Sequence, residues 1–353
     1  MNKLISEEFG KTANGEPINK YILRNENGMQ VEIINFGAII TSLKVPDRDG
    51  KFDDVVLGFK NSEDYFNSNQ YTYGAVVGRY ANRIANARFS IKCKEYQVTK
   101  NEGNNHIHGG KQGFSNKIWN AEILENSESC SLALHYLSED GEEGYPGNLS
   151  VKVLYTLTDE NALEIEYSAT TDQPTIINLT QHSYFNLSGD HSQEITDHQL
   201  QLNADHYLPI DQHSIPTSEL SDVKESPFDF SSMKEIGKDI NLDHKQLKLG
   251  KGYDHCWVLN GNGLRSAGNL FHQKTGRNME IFTTEPGIQL YTGNFLDGKF
   301  ETKTGGKNNF RTGLCLETQH FPDSPNRSSF PSTVLNPDEK YESKTVYKFS
   351  VIY

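Results

Sequence analysis

The stretch from Val151 to Ala169 limits the architecture more than any other. Val151, Val153, Tyr155 and Leu157 alternate with Lys152, Leu154, Thr156 and Thr158; after Asp159-Glu160-Asn161, Leu163, Ile165, Tyr167 and Ala169 alternate with Glu164, Glu166, Ser168 and Thr170. Successive side chains of a strand point to opposite faces, so this period of two describes a hairpin with a polar turn. Its apolar face must be buried against another layer. Similar alternation returns at residues 29 to 45 and 346 to 353, with turn chemistry at 47 to 50, 143 to 147 and 284 to 287. Helical signal is confined to Ser62 to Phe66, read with Ser62 as its cap, and to a segment within 231 to 250. The expectation is an all-β fold: one large antiparallel β-sandwich domain over residues 1 to 353, with few short helices.

Composition excludes several classes of function. The chain of 353 residues carries 34 Lys+Arg against 47 Asp+Glu, a formal charge of -13, and no polybasic run. Nucleic acid and anionic membrane are therefore poor partners. No stretch approaches the roughly 20 apolar residues of a membrane span, and the start lacks an apolar signal segment. Cys93, Cys130, Cys256 and Cys315 are scattered without C-x-x-C spacing, which argues against a zinc knuckle or a disulfide framework. A reducing cytoplasm is the expected location.

Five segments carry candidate chemistry. In the run Arg311 to Pro325, Glu317 shares a strand face with Cys315 and Gln319, opposite Leu314, Leu316 and Thr318. A carboxyl stripped of water there has its pKa raised toward the range useful to a general base. Residues 74 to 84 place Arg79, Asn82 and Arg83 after small residues, as donors for a polyhydroxylated or anionic ligand. His106 and His108 precede Gly109-Gly110; the pair reads either as a metal half-site or as one structural and one working histidine. His182 lies in a strand-forming run with Tyr184 and Asn186. Asp254 and Trp257 follow a glycine turn, an acid and an aromatic suited to a sugar's hydroxyls and C–H face. Alone, each segment has a structural explanation. Together they describe a polar cleft for a small hydroxylated molecule.

From about Tyr21 onward the chain resembles the aldose 1-epimerase, or galactose mutarotase, family. The resemblance rests on G-R-Y-A-N-R-I at 78 to 84, N-H-I-H-G-G at 105 to 110, Q-H-S-Y-F-N-L at 181 to 187, G-Y-D-H at 252 to 255, P-G-I-Q-L-Y-T-G-N at 286 to 294, and the run from 311 to 326. It implies a galactose-mutarotase-like supersandwich that interconverts α and β anomers of free aldohexoses such as galactose and glucose, with no cofactor and no metal. By motif, Glu317 is the implied general base and His182 the general acid, with His108 assisting at the ring oxygen. Asn82, Arg83, Asp254 and Gln289 would hold sugar hydroxyls, and Tyr184 joins this set. The implied partner is a monosaccharide, and the chain a monomer or homodimer.

Those residue types fit the chemistry. Mutarotation removes a proton from the C1 hydroxyl and delivers one to the ring oxygen, so one base and one acid suffice. Each positioned transfer is worth roughly 10²–10⁴-fold. The expected working pair is carboxylate and imidazolium, each favouring the other's charge and widening the active pH range. Three rivals carry different chemistry. A cupin-like metal enzyme wants a Glu shortly after H-x-H, where this chain has Lys111 and Gln112. A non-catalytic sugar-binding module needs no acid–base pair, and a hexose-phosphate epimerase wants a basic pocket.

Overall fold

The computed structural model describes residues 3–125, 130–217 and 219–353. The predicted hairpin forms from Leu149–Leu157 and Ala162–Thr171, in the register that places Val153 opposite Tyr167. It belongs to a nine-stranded antiparallel sheet. There the strand Tyr341–Val351 lies between Ala162–Thr171 and Arg277–Thr283, so the end of the chain occupies the sheet's middle. The strands from Lys3–Lys11 to Phe52–Asp54 make a five-stranded meander. Its last turn is held by Asp47, whose carboxylate accepts from the amides of Asp49 and Lys51.

A second five-stranded sheet, in the order Ser221–Asp222, Ala204–Leu208, Asp254–Leu259, Gly287–Tyr291 and Cys315–Gln319, positions the site. One continuous apolar core joins it to the larger sheet, with Trp257, Ile288, Leu290 and Leu316 packed in the same cluster as Tyr155, Ile281 and Tyr347. Each fully buried Val, Leu or Ile in such a core contributes about 1.5–3 kcal/mol. Cys315–Gln319 is the outer strand of its sheet, and its outward carbonyls are met without another strand. The Leu314 carbonyl accepts from the Phe185 amide at 2.7 Å, that of Leu316 from the Tyr347 hydroxyl at 3.1 Å, and that of Thr318 from the Thr180 hydroxyl at 2.8 Å.

The helix predicted near residue 62 spans Ser62–Asn67, but its cap is Asn61, whose side chain accepts from the Asp64 amide at 3.0 Å. Ser62 instead packs against Gly10, where a Cβ would collide with its hydroxyl. Within 231 to 250 only Lys245–Gly250 is α-helical. The preceding residues form the short strand Lys234–Glu235 and a 3₁₀ turn, Ile236–Lys238. Among the described residues no helix is long and apolar enough to cross a membrane.

Candidate active site

Register gathers the acidic and amide groups. Gln289 lies opposite both Cys256 and Glu317, while Tyr291 lies opposite both Asp254 and Cys315. Because faces alternate, Asp254, Gln289, Tyr291, Cys315 and Glu317 all point from one face of the three strands. The Gln289 amide donates to Asp254 at 2.7 Å. Glu317 is 2% exposed, and its Oε2 has no hydrogen-bond partner among the described residues.

His182 arrives from the segment that closes the outer strand. The short pairing of Thr180–Gln181 with Val76–Val77 fixes it, and its amide donates to the Ala75 carbonyl at 2.9 Å. Its Nε2 lies 3.7 Å from Glu317 Oε1, and its Nδ1 lies 3.5 Å from the buried Cys315 sulfur. His108 follows the pairing of His106–Ile107 with Arg83–Ile84 and adopts the left-handed conformation, φ 51°. The Asn82 amide donates to His108 Nδ1 at 3.2 Å, and the ring meets His182 edge-on at 5.3 Å. His106 points elsewhere: its nitrogens contact the Thr99 carbonyl and the Tyr145 hydroxyl, each at 2.6 Å. Of the two readings of this pair, one structural and one cavity-lining histidine is what the fold contains.

All eight sequence-predicted site residues, Asn82, Arg83, His108, His182, Tyr184, Asp254, Gln289 and Glu317, line one cavity of about 440 Å³. Arg83 and Glu102 form a two-pronged ion pair, with Nε and Nη2 each 2.7 Å from a carboxylate oxygen. Tyr71, Tyr291 and Phe295 supply aromatic wall.

Burial drives the carboxyl of Glu317 well above the usual carboxylate range; Asp254 adds to the rise and Arg83 opposes it. Burial pushes the His182 imidazole down to about 4. Burial also holds His108 well below its ordinary value, with help from His182 and Arg83. Burial thus works against the mutual support expected of a carboxylate–imidazolium pair. Both groups are buried, so each is biased toward its uncharged form, the carboxyl of Glu317 and the neutral imidazole of His182.

A model of the aldose 1-epimerase family matches residues 19–348. The chain belongs to the aldose 1-epimerase family. A galactose mutarotase of Bos taurus is 43% identical over 335 residues, 95% of this chain and 94% of the relative. An aldose 1-epimerase of Escherichia coli K12 is 37% identical across 98% of this chain and 99% of its own length. The crystal structure of a galactose 1-epimerase from Lactobacillus acidophilus superposes with a TM-score of 0.89, at 30% identity and full coverage of both chains.

Within this aldose 1-epimerase, two sequence readings need revision. Trp257 is fully buried, donates its indole N–H to the Phe228 carbonyl at 3.0 Å and packs in the core, so it presents no ring to a sugar. Arg79, one of the candidate ligand donors, is 1% exposed; its fork donates to the carbonyls of Pro146, Gly147 and Ser138 and ties those segments together. Sequence reasoning missed Tyr71, Glu102 and Phe295, which lie outside the named strands and carry no periodic signal. His108, His182 and Glu317 bring one ligand atom each within 4.8 Å of one another, a set that would also suit a divalent cation.

Proposed function

We propose that this chain is an aldose 1-epimerase, an isomerase that interconverts the anomers of free aldohexoses such as galactose and glucose. The observation that carries the proposal is Glu317 and His182, 3.7 Å apart and shielded from water in a cavity rimmed by sugar-type hydrogen-bonding groups. A separation of 3.7 Å is too long for a good direct hydrogen bond, so both groups are left to act on a reacting group that approaches the pair from the cavity side. When hydroxyls donate to the unpartnered Oε2 of Glu317, the carboxylate form is favoured and the shared proton passes to His182. Glu317 then takes the C1 hydroxyl proton while His182 protonates the ring oxygen. The ring opens to the aldehyde, C1 turns about the C1–C2 bond, and the two groups exchange roles on closure. His108, neutral and adjacent, assists at the ring oxygen, while Asn82, Arg83, Asp254, Gln289 and Tyr184 hold the sugar.

Polarimetry of freshly dissolved α-galactose and α-glucose tests this. Relaxation to anomeric equilibrium faster than the buffer rate, and proportional to protein concentration, is expected. A rate equal to buffer alone would leave a sugar-binding module as the reading.

A further inference from the structure

Arg83 is, among the described residues lining the cavity, the one Lys or Arg, and its charge is already paired. Glu102 grips the Nε and Nη2 edge at 2.7 Å on both prongs, and Nη1 has no hydrogen-bond partner among the described residues. A guanidinium presents its best anion-binding geometry through such paired N–H groups. Here that edge faces a carboxylate belonging to the protein itself. The rest of the described lining adds Asp254, Glu317 and the imidazoles of His108 and His182 but no further Lys or Arg, so an anionic group entering the cavity meets carboxyls and an Arg83 edge already paired with Glu102. Glu102 sits in a tight turn, where its amide and carbonyl both bond to Asn105 and Gly103 adopts φ 58°, and its side chain is 36% exposed. It is thus reached from solvent while touching a buried cavity group.

Resting on the epimerase reading, we infer that Glu102 is a specificity-determining residue, excluding sugars that carry a carboxylate or phosphate by occupying the anion-binding edge of Arg83. In Glu102→Gln the turn and one hydrogen bond to Arg83 remain, but the guanidinium loses its counter-charge. A sugar carboxylate then has a partner, and one charge-assisted hydrogen bond is worth at least about tenfold in affinity.

The test compares α-galactose with α-galacturonate, by polarimetry for kcat/KM and by calorimetry for binding, in wild type, Glu102→Gln, Glu102→Ala and Glu102→Asp. Circular dichroism verifies folding of each. The neutral sugar should be preferred by wild type and by Glu102→Asp, which keeps the carboxylate. In Glu102→Gln and Glu102→Ala the preference should fall by about tenfold or more. An unchanged ratio in both folded variants, by either readout, overturns the assignment. Because calorimetry reads the preference without turnover, a wild-type protein that binds galactose but does not turn it over would sink the epimerase reading alone.

Discussion

Replacing Glu317 by glutamine keeps the shape and one hydrogen-bonding oxygen but removes the proton-accepting group from the outer strand. A positioned base contributes roughly 10²–10⁴-fold, so kcat should fall by at least about 10², or about 2.7 kcal/mol of barrier. The pH profile makes the prediction sharper. In the free site the first proton leaves His182 near its depressed value of about 4, and the second leaves Glu317 only well above the ordinary carboxyl range. The one-proton state, which contains the working tautomer, spans the interval between. The acid limb of kcat/KM therefore follows the imidazole and the alkaline limb the carboxyl, although both values belong to the coupled pair. Glu317→Gln should abolish the alkaline limb. Stability should move the other way. A carboxyl whose folded pKa lies above its unfolded value favours folding fully below the unfolded value, and that contribution is lost as pH rises through the folded one. Each unit of difference costs wild type about 1.4 kcal/mol at alkaline pH, and the glutamine does not incur it. The assay is buffer-corrected polarimetry of α-galactose across pH, paired with urea unfolding at neutral and alkaline pH. A folded Glu317→Gln protein with near wild-type kcat and an intact alkaline limb would refute the reasoning.

His182→Asn should lower kcat by roughly 10² or more and remove the acid limb, read from the same profiles; retention of that limb would assign it elsewhere. Asp254→Ala should raise KM by removing a hydroxyl acceptor and Gln289's partner, whereas unchanged KM and kcat would make Asp254 a structural turn residue. Activity should persist after exhaustive chelation, and loss restored only by added metal would turn the His108–His182–Glu317 set into a cation site. Trp257→Ala should cost about 3–5 kcal/mol in urea unfolding through the cavity left in the core. A raised KM without a loss of stability would return that ring to the sugar.

Strand parity carried most of what could be read in advance. The alternation at 151 to 169 announced the hairpin, and the same rule placed Glu317 on the face opposite Leu316 and Thr318, which is where register puts it. Parity also contained the warning about Trp257. It is an odd number of residues from Asp254, so on a regular strand the two cannot share a face. The Ser62 cap failed because Asn61 offers an equally good cap one residue earlier, and packing against Gly10 decides between them. Glu102 was invisible because its meaning lies in Arg83, 19 residues away and joined only through the pairing of two short strands. The direction in which the fold shifts the Glu317–His182 pair was illegible for a related reason. Sequence places two charges side by side and suggests mutual support, but burial, a property of the whole fold, acts on both and outweighs it.

The outer strand bearing Glu317 is closed by the Phe185 amide and by the hydroxyls of Tyr347 and Thr180, and Thr180 lies two residues before His182. An uncovered strand edge offers unpaired carbonyls and amides to any passing chain. The segment that supplies the proposed acid therefore also helps to cover the strand edge beside the cavity. Damage there carries a double signature: a variant that loosens residues 180 to 185 loses turnover and becomes prone to self-association together. Asp254 and Gln289 are flanked by neighbouring strands on both sides, so substitutions there should affect the proposed handling of the sugar without opening a strand edge. Aggregation on storage would thus report on the integrity of this half of the catalytic apparatus.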